Sequence, residues 1–173
     1  MRGRLPKKVT LALDLGGCLG WAIFHGKRRY ASGTIRLKQR TRRKIREPRA
    51  VKYIQFMDIL HESCSEGDPI PLARKPDSIA YEHARGHWKT AAPRETYGAY
   101  LGQLEIFSLR SGIPIFGIPQ RSLKKLATGN GNAGKDEIMR AAKKLWPRVK
   151  LQSHDEADAL HVGRIFVEGL YEW

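Results

Sequence analysis

The sequence predicts an α/β protein: a mixed central sheet, antiparallel at its N-terminal end and flanked by helices. Two observations carry this. Short apolar runs separated by glycine-bearing turns crowd the first 37 residues, and from residue 50 onward stretches of helical period alternate with short strands. A chain of 173 residues that is 41% hydrophobic can bury one well-formed core. One domain over residues 1–173 is therefore expected, with a basic arm or insertion at about 36–52.

The elements follow in order. Val9 to Asp14 is rich in strand formers and meets Gly16 and Gly17. Leu19 to Phe24 is a second apolar run reaching a turn at Gly26, and Tyr30 to Leu37 supplies a third strand, so the start reads as an antiparallel meander. Arg36 to Lys52 holds nine basic residues and one acid, Glu47, and is either a mobile arm or the entrance to a helix. Val51, Ile54, Met57 and Leu60 then recur at helical spacing, and the polar stretch from Ser63 to Pro76 makes a loop. Ser78 to Glu82 is a strand leading into the polar segment His83 to Arg94. Pro93 to Ser111 is helical, Gly112 stops it, and Ile113 to Ile118 is another strand. Pro119 to Leu126 forms a short helix, Thr128 to Gly134 a flexible glycine-rich loop, Lys135 to Leu145 a helix closed before Pro147, and Asp155 to Leu170 the last helix.

The charge balance narrows the partner. Lys and Arg number 32 against 17 Asp and Glu, a formal net charge of +15, and a field of that sign attracts a polyanion because each neutralised phosphate releases counterions. Nucleic acid is the expected partner. The basic stretches lack the Trp, Phe and Leu face of a membrane-surface helix, and no segment approaches the about eighteen apolar residues of a span. Cys18 and Cys64 have no metal-site spacing and read as ordinary buried residues. With Asp14 breaking the first apolar run and no small-residue cleavage site after it, a cytoplasmic location under reducing conditions is expected.

Against this basic background four acids stand out. Asp14 and Glu82 each end a predicted strand, and neighbouring strands would bring them to one rim of the sheet. Asp155 and Asp158 are i and i+3 on one helix, hence on one face. Singly each has a plain reading: a turn former, a strand end, or a first-turn acid favoured by the helix dipole. Asp158 resists it, because Ala157, Ala159 and Leu160 mark its helix for burial, and a buried acid needs a partner or a metal. Four carboxylates gathered together require cations. Hard Mg²⁺, for which Mn²⁺ can substitute, takes oxygen ligands, and a pair about 3.5 to 4 Å apart serves phosphodiester hydrolysis.

The order of these pieces resembles the RuvC-type Holliday-junction resolvases. The matching residues are Leu11-Ala-Leu-Asp14-Leu-Gly16 with Gly20-Trp-Ala22, the strand ending in Glu82, the segment from Lys124 through Gly129, Gly131 and Ala133 to Lys135, and His154-Asp155-Glu-Ala-Asp158-Ala-Leu160. The resemblance implies an RNase H-like fold and a homodimer that cuts opposed strands of a four-way DNA junction. It implies a catalytic, metal-binding tetrad of Asp14, Glu82, Asp155 and Asp158 with two Mg²⁺ ions per site, and phosphate contacts from Lys124 and Lys135. Where the family stacks an aromatic side chain on a base shortly after its second acid, this chain has Arg85, then Trp88 and Lys89; Trp88 is the wedge candidate, and all three are candidate DNA contacts. His83 and His87 show no clear ligand spacing; His154 and His161 flank the acidic pair, and His161, at i+3 from Asp158 on its helix face, reads as a packed or solvent-facing histidine.

The basic stretch is longer than the family pattern requires, which suggests an added phosphate-binding arm built on Arg40, Arg42, Arg43 and Lys44. Such an arm would strengthen binding without reading bases, extending the substrate range to forks and flaps, and it fits a phage-encoded resolvase. Two other readings share the acids or the charge: an RNase H-fold nuclease of the YqgF type acting on RNA, and a non-catalytic branched-DNA binding protein. The Asp-Leu-Gly-Gly turn also occurs in actin-like ATPases, but these need two such lobes. Lys135 is followed by Asp136, so the glycine loop is not a nucleotide-binding P-loop.

Overall fold

The structure, a computed structural model, describes residues 8–38, 41–42, 45–46, 48–62, 70–72, 74–84 and 91–172. Strands β1 (Val9–Asp14), β2 (Cys18–His25) and β3 (Arg28–Arg36) form the expected meander, with β2 antiparallel to both neighbours. Strands β4 (Thr41–Arg42) and β5 (Ile45–Arg46) pair antiparallel as a separate two-stranded ribbon inside the basic stretch, whose last residues, Ala50 to Lys52, open helix α1 (Ala50–Glu62). Its base is tied to α1: the Lys38 N–H donates to Gln55 Oε1 at 2.9 Å, and Gln55 Nε2 donates back to the Lys38 carbonyl at 2.8 Å.

Strand β6 (Ser78–His83) lies parallel to β1, and β7 (Ile115–Pro119) parallel to β6, with helix α2 (Ala91–Ser111) between them. The five-stranded order is β3-β2-β1-β6-β7. The parallel crossover needs a connection long enough to hold a helix, and α2 supplies it. Helices α3 (Gln120–Thr128), α4 (Lys135–Leu145) and α5 (His154–Glu168) complete the chain. Several boundaries differ from expectation by one or two residues: β3 and α2 start early, at Arg28 and Ala91, and α3 runs on to Thr128. Strand β7 starts two residues late, and α5 stops at Gly169, whose left-handed φ of 68° ends the helix.

Strand alternation divides the core. Leu11 and Leu13 face Phe56, Leu60, Tyr100 and Leu104 of α1 and α2, whereas Ala12 joins the opposite layer with Leu160 and Val162 of α5. In that second layer three alanines lie side by side, because Ala12 registers with Ala22 of β2 and with Ala80 of β6. This row of small side chains lets α5 approach the sheet closely. Two glycines extend the approach: a Cβ on Gly20 would overlap the Asp155 backbone carbonyl, and one on Gly163 would overlap the Phe24 ring.

The glycine-rich stretch after α3 is a packed turn, in contrast to the flexible loop expected from composition. Asn130 Oδ1 accepts from the Asn132 N–H at 3.0 Å, the Thr128 hydroxyl donates to the Lys124 carbonyl at 2.8 Å, and Ala133 is fully buried. The turn holds the end of α3 and the start of α4 together, which fixes the spacing of Lys124 and Lys135. Among the described residues, no helix is long and apolar enough to cross a membrane.

Candidate metal centre

The paired β1–β6 register ends at Leu13 opposite Tyr81, and one further step places Asp14 beside Glu82. Helix α5, pressed against the alanine row, brings Asp158 to the same point. The carboxylate oxygens of Asp14, Glu82 and Asp158 lie within 4.8 Å of one another. Strand β1 ends here because Leu15 and the Gly16–Gly17 bend turn the chain back into β2, leaving Asp14 at the rim.

Burial and mutual repulsion dominate the electrostatics. The Asp14 carboxyl is pushed well above the usual range, chiefly by burial and then by the charges of Glu82, Asp158 and Asp155. Burial likewise raises Glu82, which accepts hydrogen bonds from the Gln120 side chain and from Asp14. Asp158 is pushed up to about 7 by burial, Glu82 and Asp155. Without a cation, the cluster therefore retains protons that isolated carboxyls would have lost near neutral pH.

Lys124 and Lys135 oppose this effect. The field of Lys124 lowers Glu82 and Asp158, and that of Lys135 lowers Asp14 and Asp158. Asp155 sits one turn before Asp158 with its charge felt by all three acids, yet it lies outside the close trio, and its carboxylate accepts a hydrogen bond from the Cys18 thiol. Burial first, and then that bond, push the Cys18 thiol up. Three hard oxygen donors that repel one another suit a divalent cation with oxygen preference.

Several supporting residues escaped the sequence reading. Gln120, first residue of α3, steadies Glu82, and the Tyr97 hydroxyl donates to the Glu82 carbonyl at 3.1 Å while accepting from the Ala84 N–H at 3.1 Å. Glu156, between the two α5 aspartates, is buried on the other side of the helix. It accepts from the Ser32 hydroxyl and the Gln152 N–H, both at 2.7 Å. Ser153 caps α5 by accepting from the Glu156 N–H at 3.0 Å. The Ser-x-x-Glu spacing of a capping box was the available signal, although Glu156 here turns to the Gln152 N–H.

His161 is a packed histidine: its Nε2 lies 3.2 Å from the Ile138 carbonyl, its ring meets Trp146, and burial pushes it down to about 4. The ring of His83 lies 6.0 Å from that of Tyr81. Arg40, Arg43, Lys44, Arg85, His87, Trp88 and Lys89 lie outside the described residues, as does Cys64, and Arg42 is placed by its backbone alone.

Comparison with known proteins bears directly on this arrangement. No family profile matches the chain. Three curated relatives carry the name crossover junction endodeoxyribonuclease RuvC: one from Bartonella bacilliformis, 36% identical over 35% of this chain and 38% of the relative; one from Rhizobium johnstonii, 30% identical over 60% and 59%; and one from an Anaeromyxobacter species, 40% identical over 42% and 40%. The chain is similar to RuvC over these stretches. The matched stretches thus span about two-fifths to three-fifths of those relatives.

Solved structures extend the likeness over almost the whole chain. Thermus thermophilus RuvC matches with a TM-score of 0.68 at 16% identity, covering 94% of this chain and 95% of that one. Its complex with a Holliday junction substrate matches at 0.67 and 17%, covering 91% of each. The yeast mitochondrial Holliday junction resolvase Ydc2 matches at 0.60 and 10%, covering 96% of this chain and 85% of that one. The RNase H-like fold expected from the sequence motifs is therefore the fold observed, with three of the four expected acids in one cluster.

Proposed function

We propose that this RuvC-like chain is a metal-dependent endodeoxyribonuclease that resolves four-way junctions and cuts related branched DNA as a homodimer. The observation that carries the reading is the meeting of Asp14, Glu82 and Asp158 from β1, β6 and α5 within 4.8 Å, in a chain with a net charge of +15. The name of the sequence relatives, and the junction bound by a structural relative, support the same substrate class.

Asp14, Glu82 and Asp158 would hold Mg²⁺ or Mn²⁺, with Asp155 as fourth acid at the rim and two ions per site. When bound, such ions supply an activated water and stabilisation of the leaving oxygen in phosphodiester hydrolysis. The protein's own groups do the positioning. Gln120 and Tyr97 hold Glu82 through its side chain and its backbone. Lys124 and Lys135, whose fields already reach the acids, would draw a phosphate of the DNA strand against them. Resolution needs two sites facing opposed strands, hence two copies; α2 exposes Ile106 and Leu109, 41% and 85% accessible, an apolar pair that a second subunit would cover. Residues 1–173 act as one nuclease domain, with Arg40, Arg42, Arg43, Lys44, Arg85, Trp88 and Lys89 as further DNA contacts.

The test is to incubate the protein and its Asp14→Asn variant with labelled four-way junction, fork, duplex and RNA–DNA hybrid, with and without Mg²⁺ or Mn²⁺. Metal-dependent cutting of the junction by the native protein alone, with binding retained in the variant, is the expected result. Cutting of the hybrid and not the junction would replace this reading with an RNA-directed nuclease, and junction binding without cutting by either protein would leave a binding protein.

A further inference from the structure

Away from the acids, the molecule has a second feature that suits a nucleic acid. An open concavity of about 470 Å³ lies between the β2–β3 turn and the segment after α4, lined by Lys27, Arg28, Arg29, Trp146, Pro147 and Arg148. No acid lines it. Arg29 is engaged, donating to the Ser32 hydroxyl at 2.9 Å, but Lys27, Arg28 and Arg148 are exposed and belong to none of the ion pairs found among the described residues. Lys143 and Lys144 nearby are explained as last-turn cations of α4; Lys27 and Arg148 stand on turns and Arg28 opens β3, so none of the three has such a role.

The placement is remote from the cutting centre. Val9 registers with His25 at the start of β1, and Asp14 with Gly20 at its end, so the concavity and the acids sit at opposite ends of the strands. Five residue steps at about 3.3 Å make the separation roughly 17 Å. Edge strand β3 joins the two ends, and its exposed Arg36, opposite Cys18, keeps the path basic at the acid end. The Trp146 ring already meets His161 in the interior, so the surface offers charges for phosphates rather than a platform for unstacked bases.

We propose that Lys27, Arg28 and Arg148 form a second phosphate-binding surface that grips the backbone of a duplex arm while another part of the same DNA lies at the acids. The inference rests on the DNA-directed reading above and adds where an uncut arm is held. At about 3.4 Å per base pair, an arm reaches the surface only if it extends roughly five base pairs beyond the cutting centre.

The experiment measures four-way-junction binding by the full chain in EDTA, so that it is independent of cutting, across a salt series. With arms of about fifteen base pairs, the triple variant Lys27→Ala, Arg28→Ala, Arg148→Ala is expected to bind more weakly, with the slope of log K against log salt reduced by about two to three units. A companion with Arg28→Lys and Arg148→Lys is expected to keep the native slope, which separates lost charge from lost folding. With arms cut to about four base pairs, the native protein and the triple variant are expected to bind alike. An unchanged slope on long arms, or an equal loss on short and long arms, would overturn the proposal. A native protein that binds junctions with the expected arm dependence but never cuts them would instead remove the nuclease reading.

Discussion

Helix α5 carries two acids two residues apart whose surroundings are opposite. Glu156 is 1% exposed, accepts two hydrogen bonds at 2.7 Å, and has the Arg29 guanidinium behind its Ser32 partner. Asp158 faces Asp14 and Glu82 and is pushed up to about 7. Both are withdrawn from water, so burial does not separate them. The partners do: donors turn one acid into a brace between α5 and β3, and further acids turn the other into a site that lacks positive charge.

The largest break in this comparison is loss of a clustered acid. Asp14→Asn, Glu82→Gln or Asp158→Asn is expected to lower metal-dependent cutting about a thousandfold or more, the scale of losing a group that stabilises developing charge, with junction binding retained. Single-turnover cleavage of a labelled junction checks it. Asp158→Asn is also expected to stabilise the metal-free protein near pH 8, because it removes a repelled charge. On the other side of the helix, Glu156→Ala is expected to cost about 2 to 4 kcal/mol in urea unfolding, since Ser32 and the Gln152 N–H lose their acceptor. A brace and a metal ligand thus predict opposite signs for stability.

The pH response sharpens the same contrast. A carboxyl whose folded-state value is raised binds more protons folded than unfolded, so its contribution favours folding at low pH and is lost as pH climbs. For Asp158 that window runs from the ordinary carboxylate range to about 7. Metal-free thermal stability is expected to fall across it, and Mg²⁺ or Mn²⁺ to raise the melting temperature more at pH 8 than at pH 5, with the metal-induced gain abolished in Asp158→Asn. A smaller effect, about 1 to 3 kcal/mol, is expected from Gly20→Ala, whose methyl group would push on the Asp155 backbone, measured by thermal melts with metal affinity as second readout.

These regions were unequally legible. Asp14, Asp155 and Asp158 could be placed from local pattern, because a strand ending at a glycine turn and an i, i+3 pair are short-range facts. The packing of Glu156 was not visible in the same way: one helical step past Asp155 rotates it about 100° away, toward Ser32 and Arg29, residues more than 120 positions earlier in the chain. Gln120 and Tyr97 read as an ordinary helix start and an ordinary apolar helix position; what they touch depends on where β6 ends. The glycine turn at 129–134 looked loose by composition, and its own side-chain hydrogen bonds made it firm.

The sequence by itself determined the five strands and five helices of the main body, their mixed α/β order, the basic field and the identity of the acids, since periodicity, turn residues and charge are local properties of the chain. Only the tertiary structure decided which acids meet. Parallel pairing of β1 with β6 sets Asp14 beside Glu82, and the alanine row with Gly20 and Gly163 lets α5 come close enough to add Asp158 while Asp155 is held at Cys18. Those contacts join residues far apart in sequence, and their geometry depends on side-chain volume at the point of packing, which no local pattern records.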